Sequence, residues 1–154
     1  MKASKMLFVP AALFAAAMVC FAADVSIGTW KLNEAKSKLS PGAGKNTNVV
    51  IAPAGENVKV TVDGIGADGK PSHNEWTGKF DGKDYPITGD PASNMRAYKP
   101  VNDHTLDLTE KKNGKNTNTG RIVISADGKT RTVTASRTDP DGKTISFSYV
   151  YDKR

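Results

Sequence analysis

The tripeptide Asp-Gly-Lys stands at positions 68–70, 81–83, 127–129 and 141–143, with Asn-Gly-Lys at 113–115. Glycine accepts positive φ at no steric cost, and Asp or Asn bonds its own backbone two residues on. Each copy therefore reverses an extended chain. Further turn signals are Pro53-Ala54-Gly55-Glu56, Gly89-Asp90-Pro91 and Asn102-Asp103. A calcium loop would need oxygen ligands at alternate positions and a closing Glu, whereas here a lysine ammonium follows each Asp-Gly and opposes a cation. The repeat is read as punctuation.

Between the turns the chain alternates. Asn57 to Asp63 places Val58, Val60 and Val62 on one side; His104 to Glu110 places Leu106 and Leu108 together. Thr144 to Tyr151 puts Ile145, Phe147, Tyr149 and Tyr151 on one face. This period of two, rich in β-branched and aromatic residues, predicts half-buried antiparallel strands. Ten are expected: 26–32, 46–52, 57–63, 72–80, 84–88, 93–100, 104–111, 117–125, 130–138 and 144–152. Asn33 can cap a short helix through Lys38, which Pro41-Gly42 stops. The fold class expected is all-β: an antiparallel up-and-down meander closing into a barrel of about 8–10 strands, with one short helix after strand 1. A sandwich is the alternative with the same turn spacing.

The first residues have a different character. Lys2 and Lys5 precede an apolar run from Leu7 to Ala23, the build of a secretory leader. Residues 1–22 are expected to be a signal peptide and 23–154 a single lipocalin-like barrel domain; a retained anchor helix is the rival. Cutting after Ala22 places Cys20 and Ala22 at the inspected positions, whereas cutting after Ala23 places bulky Phe21 there. Val19 before Cys20 departs from a lipobox, so ordinary export to the periplasm or beyond is preferred over lipidation of Cys20. The mature chain would hold no cysteine, and losing Lys2 and Lys5 takes its formal charge from +6 to +4. With no basic cluster longer than Lys111-Lys112, a nucleic-acid groove is not expected. Nor is stable membrane insertion once the leader is gone.

The opening strand reads Gly28-Thr29-Trp30-Lys31-Leu32. This Gly-x-Trp resembles the lipocalins and their calycin relatives, and Gly-Thr-Trp-Lys-Leu looks like the start of a fatty-acid-binding protein. The end, Tyr149-Val150-Tyr151-Asp152-Lys153-Arg154, is similar to that family's closing strand. The pattern also looks like small exported lipocalin-like proteins of environmental bacteria. The match covers about a dozen residues at the termini. The resemblance implies that Gly28 and Trp30 close one barrel end beneath a basic residue; Arg154, Lys153 and Arg137 are the candidates. Two features depart from fatty-acid-binding proteins. Residues 33–45 allow one short helix in place of a two-helix lid, and Tyr149 stands where their carboxylate clamp has an arginine.

Candidate chemistry is sparse. His73 and Glu75 share a strand face, but a zinc site needs three or four ligands. Neither His73 nor His104 sits in a cofactor motif, and no serine or threonine is paired with a base, so neither cofactor nor enzymatic activity is expected. The ligand-binding candidates are Trp76, Tyr85, Arg96 and Tyr98, which with inward faces would give an aromatic pocket holding one fixed charge. Plain core is the alternative for Trp76, and Met95 and Ala97 compete with Arg96 and Tyr98 for the inner face. The function expected is non-enzymatic binding of a small, partly apolar or anionic ligand. A secreted interaction or inhibitor module with a packed interior and contacts from loops 64–73 and 89–94 is the alternative. An enzyme using the barrel mouth ranks last.

Overall fold

The computed structural model describes residues 19–138 and 142–154, the first four by backbone alone. Most of the expected leader lies outside the described residues. A short helix, α1 (Val19–Ser26), leads into ten strands: β1 (Gly28–Leu32), β2 (Lys45–Ala54), β3 (Asn57–Ile65), β4 (Pro71–Gly78), β5 (Tyr85–Thr88), β6 (Met95–Asn102), β7 (Thr105–Lys112), β8 (Lys115–Ile124), β9 (Thr130–Thr138) and β10 (Thr144–Lys153). Neighbours in sequence pair antiparallel, and β1 pairs with both β2 and β10, which closes the barrel. All ten expected strands are present.

The repeated tripeptide turns the chain as its chemistry dictates. The Asp68 carboxylate accepts from the Lys70 amide, Asp81 from Lys83 and Asp127 from Lys129, each at 3.0 Å. The glycine between takes φ of 77°, 79° and 69° respectively. The copy at 141–143 falls partly outside the described residues.

Two boundaries differ from expectation near the N-terminus. Strand 1 begins at Gly28 because the Ile27 amide bonds back to the carbonyls of Ala23 and Asp24, continuing the helical turn. The helix after it is a single 3-10 turn, Glu34–Lys36, capped by the Asn33 side chain, which accepts from the Lys36 amide at 3.2 Å.

One end of the barrel is sealed. Trp30 is fully buried, and its indole N–H donates to the Ser26 carbonyl at 2.8 Å, tying α1 to the sheet. Of the three basic candidates it is Lys153 whose ammonium lies over the Trp30 ring, 5.1 Å from its centroid. Gly28 permits this arrangement: its φ is 139°, and a Cβ there would lie 2.6 Å from Lys153 Cε. Any side chain would push the lysine stem off the ring. Beside this seal the inward faces of β2, β3 and β8 contribute Val49, Ile51, Val60, Val62, Ile122 and Ile124 to the core.

Candidate functional site

Strand alternation decides which side chains face the barrel's interior. On β6, Arg96, Ala97 and Tyr98 are all buried, but only Arg96 and Tyr98 line the interior cavity, so they and not Met95 and Ala97 take the inner face. On β4, Trp76 and Gly78 point inward while Glu75 and Thr77 face out. Trp76 meets Tyr98 edge-on with centroids 4.8 Å apart, and Tyr85 edge-on at 5.8 Å. Phe80, just beyond β4, stacks against both Trp76 and Tyr98. Gly78 makes room for this cluster, since a Cβ there would come within 2.5 Å of the Tyr85 ring and 2.7 Å of Trp76. The Trp76 indole N–H donates to the Arg96 carbonyl at 2.9 Å, so its one polar atom is satisfied.

A cavity of about 310 Å³ occupies the interior away from the Trp30 seal. Its size is at the lower end of small-molecule sites, roughly 300–1,000 Å³. Val60, Val62, Leu108 and Val133 give it apolar walls, and the mouth lies among Gly66, Ala67, Gly89 to Ser93 and Arg137. Arg96 and Tyr98 belong to the lining. Trp76 and Tyr85 do not; Trp76 packs against Tyr98, and Tyr85 packs against Trp76 in turn.

Glu110, Asn118 and Arg131, which the sequence did not single out, also line the cavity. Glu110 faces Arg96 across the β6–β7 ladder; Arg96 Nε donates to its Oε1 at 2.6 Å, and Nη2 lies in ion-pair contact with the same oxygen at 2.6 Å. The second Glu110 oxygen accepts from Asn118 at 2.8 Å, and longer contacts of 3.4 Å join Arg96 to Tyr98 and Asn74. Burial works to lower the Arg96 pKa, but the facing Tyr98 and Glu110 outweigh it and the net direction is up. A buried charge is tolerable when paired and hydrogen-bonded in this way. The fixed charge expected at Arg96 is therefore already neutralised.

Arg131 differs. It is buried on β9, and its Nε has no hydrogen-bond partner. No carboxylate pairs with it among the described residues; its guanidinium lies over the Tyr151 ring, 5.3 Å from the centroid. Burial lowers its pKa, and Arg96 pushes the same way, against Tyr151 and Tyr98. Tyr151 is raised, chiefly by burial, and its hydroxyl donates to the Asn46 carbonyl at 3.3 Å. For Glu110 and Arg131 the signal lies in the alternation: Glu110 continues the face of Leu106 and Leu108, and Arg131 that of Val133 and Ala135.

The other candidate ligands stay apart from this site. His73 and Glu75 lie on the outer face, where His73 contacts Asp63 at 2.7 Å and Glu75 contacts Lys59 at 2.7 Å. No group of three metal-binding side chains converges among the described residues.

The barrel is similar to the solved structure of EF1p2_mFAP2b bound to DFHBI, at 14% identity and a TM-score of 0.52, over 88% of this chain and 99% of that one. Lobster apocrustacyanin A1 aligns at 16% identity and a TM-score of 0.44, over 85% of this chain and 62% of its own. A de novo designed fluorescence-activating β-barrel aligns at 14% identity and a TM-score of 0.44, over 87% of this chain and 98% of that one. No family model and no curated protein matches the chain. At such identities the likeness is one of fold.

Proposed function

We propose that the chain is an exported, lipocalin-like barrel that binds a small, partly apolar ligand in its interior and does no chemistry on it. The observation that carries this reading is the cavity of about 310 Å³, with apolar walls and a few convergent polar groups. Arg96 and Tyr98 supply part of the wall in contact with ligand, while Trp76 backs Tyr98 and is itself backed by Tyr85. Gly28, Trp30 and Lys153 keep the far end shut. Support also comes from the similar barrel solved with DFHBI bound. The inhibitor alternative assumed a packed interior, and the cavity favours the carrier over it. Export rests on the leader-like pattern of residues 1–22, and the small exported bacterial lipocalin-like proteins remain the family proposed.

Native mass spectrometry and solvent extraction of protein purified from its own host test the reading. A stoichiometric small molecule that leaves on denaturation supports it. A chain that carries none, and takes up no amphiphile when challenged, contradicts it.

A further inference from the structure

Among the repeated turns, the asparagine copy folds differently from the aspartate copies. At Asp68, Asp81 and Asp127 the carboxylate bends back onto the lysine amide two residues on, which keeps it on its own turn. Asn113 instead takes φ 51° ahead of Gly114 at φ 81°, and it is the one non-glycine residue with positive φ among the described residues. Lys112 and Lys115 pair across it. Asn113-Gly114 is therefore a two-residue hairpin loop of the kind that needs left-handed backbone at both positions. Its side chain is left to reach another loop.

The loop it reaches borders the cavity mouth. Asn113 Oδ1 accepts from Asn94 Nδ2 at 3.1 Å, and the Asn113 amide donates to Asn94 Oδ1 at 3.1 Å. The same hairpin adds to this reciprocal clasp. The Asn94 amide donates to the Lys111 carbonyl at 2.8 Å, Lys112 Nζ donates to the Pro91 carbonyl at 3.2 Å, and Thr117 Oγ1 meets Ser93 Oγ at 2.7 Å. Residues 91–94 are thus held by β7 and β8, and Pro91, Ala92 and Ser93 line the cavity.

We propose that Asn113-Gly114 is a self-modification site whose product loosens the mouth loop. The inference goes beyond the carrier reading and does not depend on it. Asn113 and Gly114 are exposed, and nothing lies within 4 Å of where a Gly114 Cβ would stand, so the Gly114 amide nitrogen is uncrowded. That nitrogen, once deprotonated, attacks Asn113 Cγ. The side-chain amide leaves as ammonia and a cyclic succinimide remains. Water then opens the ring at either carbonyl, giving an aspartyl or an isoaspartyl residue at position 113. The attacking nitrogen is an anion, and the ammonium groups of Lys112 and Lys115 on either side favour it. Ring closure requires the turn to leave its left-handed form, and an exposed hairpin tip opens locally at low cost. At the Asp-Gly copies the ionised carboxylate offers no comparable leaving group and is bonded to its own backbone. The two products differ in consequence. An aspartyl residue keeps an oxygen acceptor for Asn94, whereas an isoaspartyl residue adds a methylene to the main chain, so both clasp bonds can no longer close together.

Peptide mapping of the full chain, aged at mildly alkaline pH in heavy-oxygen water, tests it. Label should enter at Asn113 before any other asparagine, in two isomers that fragmentation separates. In the isoaspartyl fraction the Asn94 amide should exchange its hydrogen about tenfold or more faster, the effect of losing a hydrogen bond of ordinary strength. Asn113→Gly keeps the turn conformation and should take up no label there. Asn94→Ala removes the other half of the clasp, frees the turn and should speed labelling at Asn113. No label at Asn113 over a period in which the urea-unfolded chain is fully labelled there overturns the site, because the hairpin then protects it. Label at Asn113 with unchanged exchange at Asn94 overturns the link to the mouth. Labelling of Asn94→Ala at the wild-type rate overturns the clasp.

Discussion

At the sealed end of the barrel Trp30 is walled in by a lysine stem, a helix carbonyl and its strand neighbours. Beyond that seal, the same alternating faces present Arg96, Glu110, Asn118 and Arg131 to a shared cavity. Both ends obey one strand pattern, but the first fills its space and satisfies its polar atoms locally. The second leaves space and places charges around it. The difference teaches that burial class alone does not separate core from site in a barrel. Trp76 and Tyr98 are both almost fully buried, yet only Tyr98 touches the cavity. Unmatched polar chemistry inside the sheet is the better marker.

Breaking the seal should have the largest effect on stability. Trp30→Ala removes a fully buried indole from the barrel end, and a loss of about 3–5 kcal/mol in urea unfolding is expected. Breaking the paired charge should come close behind. Glu110→Ala strands Arg96 without a partner, which costs about 3–5 kcal/mol, whereas replacing both as Arg96→Met with Glu110→Leu should recover much of it. A double mutant with stability no better than Glu110→Ala would mean that the pair is held by its surroundings rather than by its own charges.

The aromatic cluster sharpens the comparison from the other side. Gly78→Ala drives a methyl into the Tyr85 and Trp76 rings and should cost about 1–3 kcal/mol of stability. Because Tyr98 leans on Trp76, the same variant should also weaken binding of a small amphiphile such as 2-naphthoate, measured alongside unfolding. Unchanged binding would place the cluster outside the function of the site.

The smallest effect concerns the outer face. The Asp63 hydrogen bond raises the His73 pKa above 6.5, against desolvation, with the Asp63 and Glu75 charges adding and Lys59 opposing. A raised histidine contributes stability below the unfolded value that disappears as pH climbs through the folded one. His73 is exposed, so the effect on stability should be barely measurable. An NMR titration should nevertheless find the imidazole shifted upward in the wild type and returned toward 6.5 in Asp63→Asn.

How much of this was legible in the sequence depends on range. Turns and strands were, because Asp-Gly-Lys acts through bonds two residues long and the valines of β3 alternate locally. The 3-10 turn after β1 was legible from Asn33. The start of β1 was missed because Ser26 is claimed by α1, whose hold on Trp30 is a tertiary contact. Alternation sets Arg96 on one face with Tyr98; that Glu110 neutralises it is a matter of register. The β6–β7 ladder slips between Pro100 and Asn102, and that irregularity helps set which β7 residue faces Arg96. Arg131 could be placed inward by alternation, but its want of a partner is a property of the closed barrel.

The most direct test is to follow backbone amide shifts of isotopically labelled protein while 2-naphthoate is added. The expected result is saturable change concentrated at Leu108, Arg131, Val133 and Tyr151, with Trp30 and the outer residues of β8 such as Val123 unmoved. Changes confined to the outer face of the sheet, or scattered over loops without saturation, would contradict a carrier whose site is the barrel's interior.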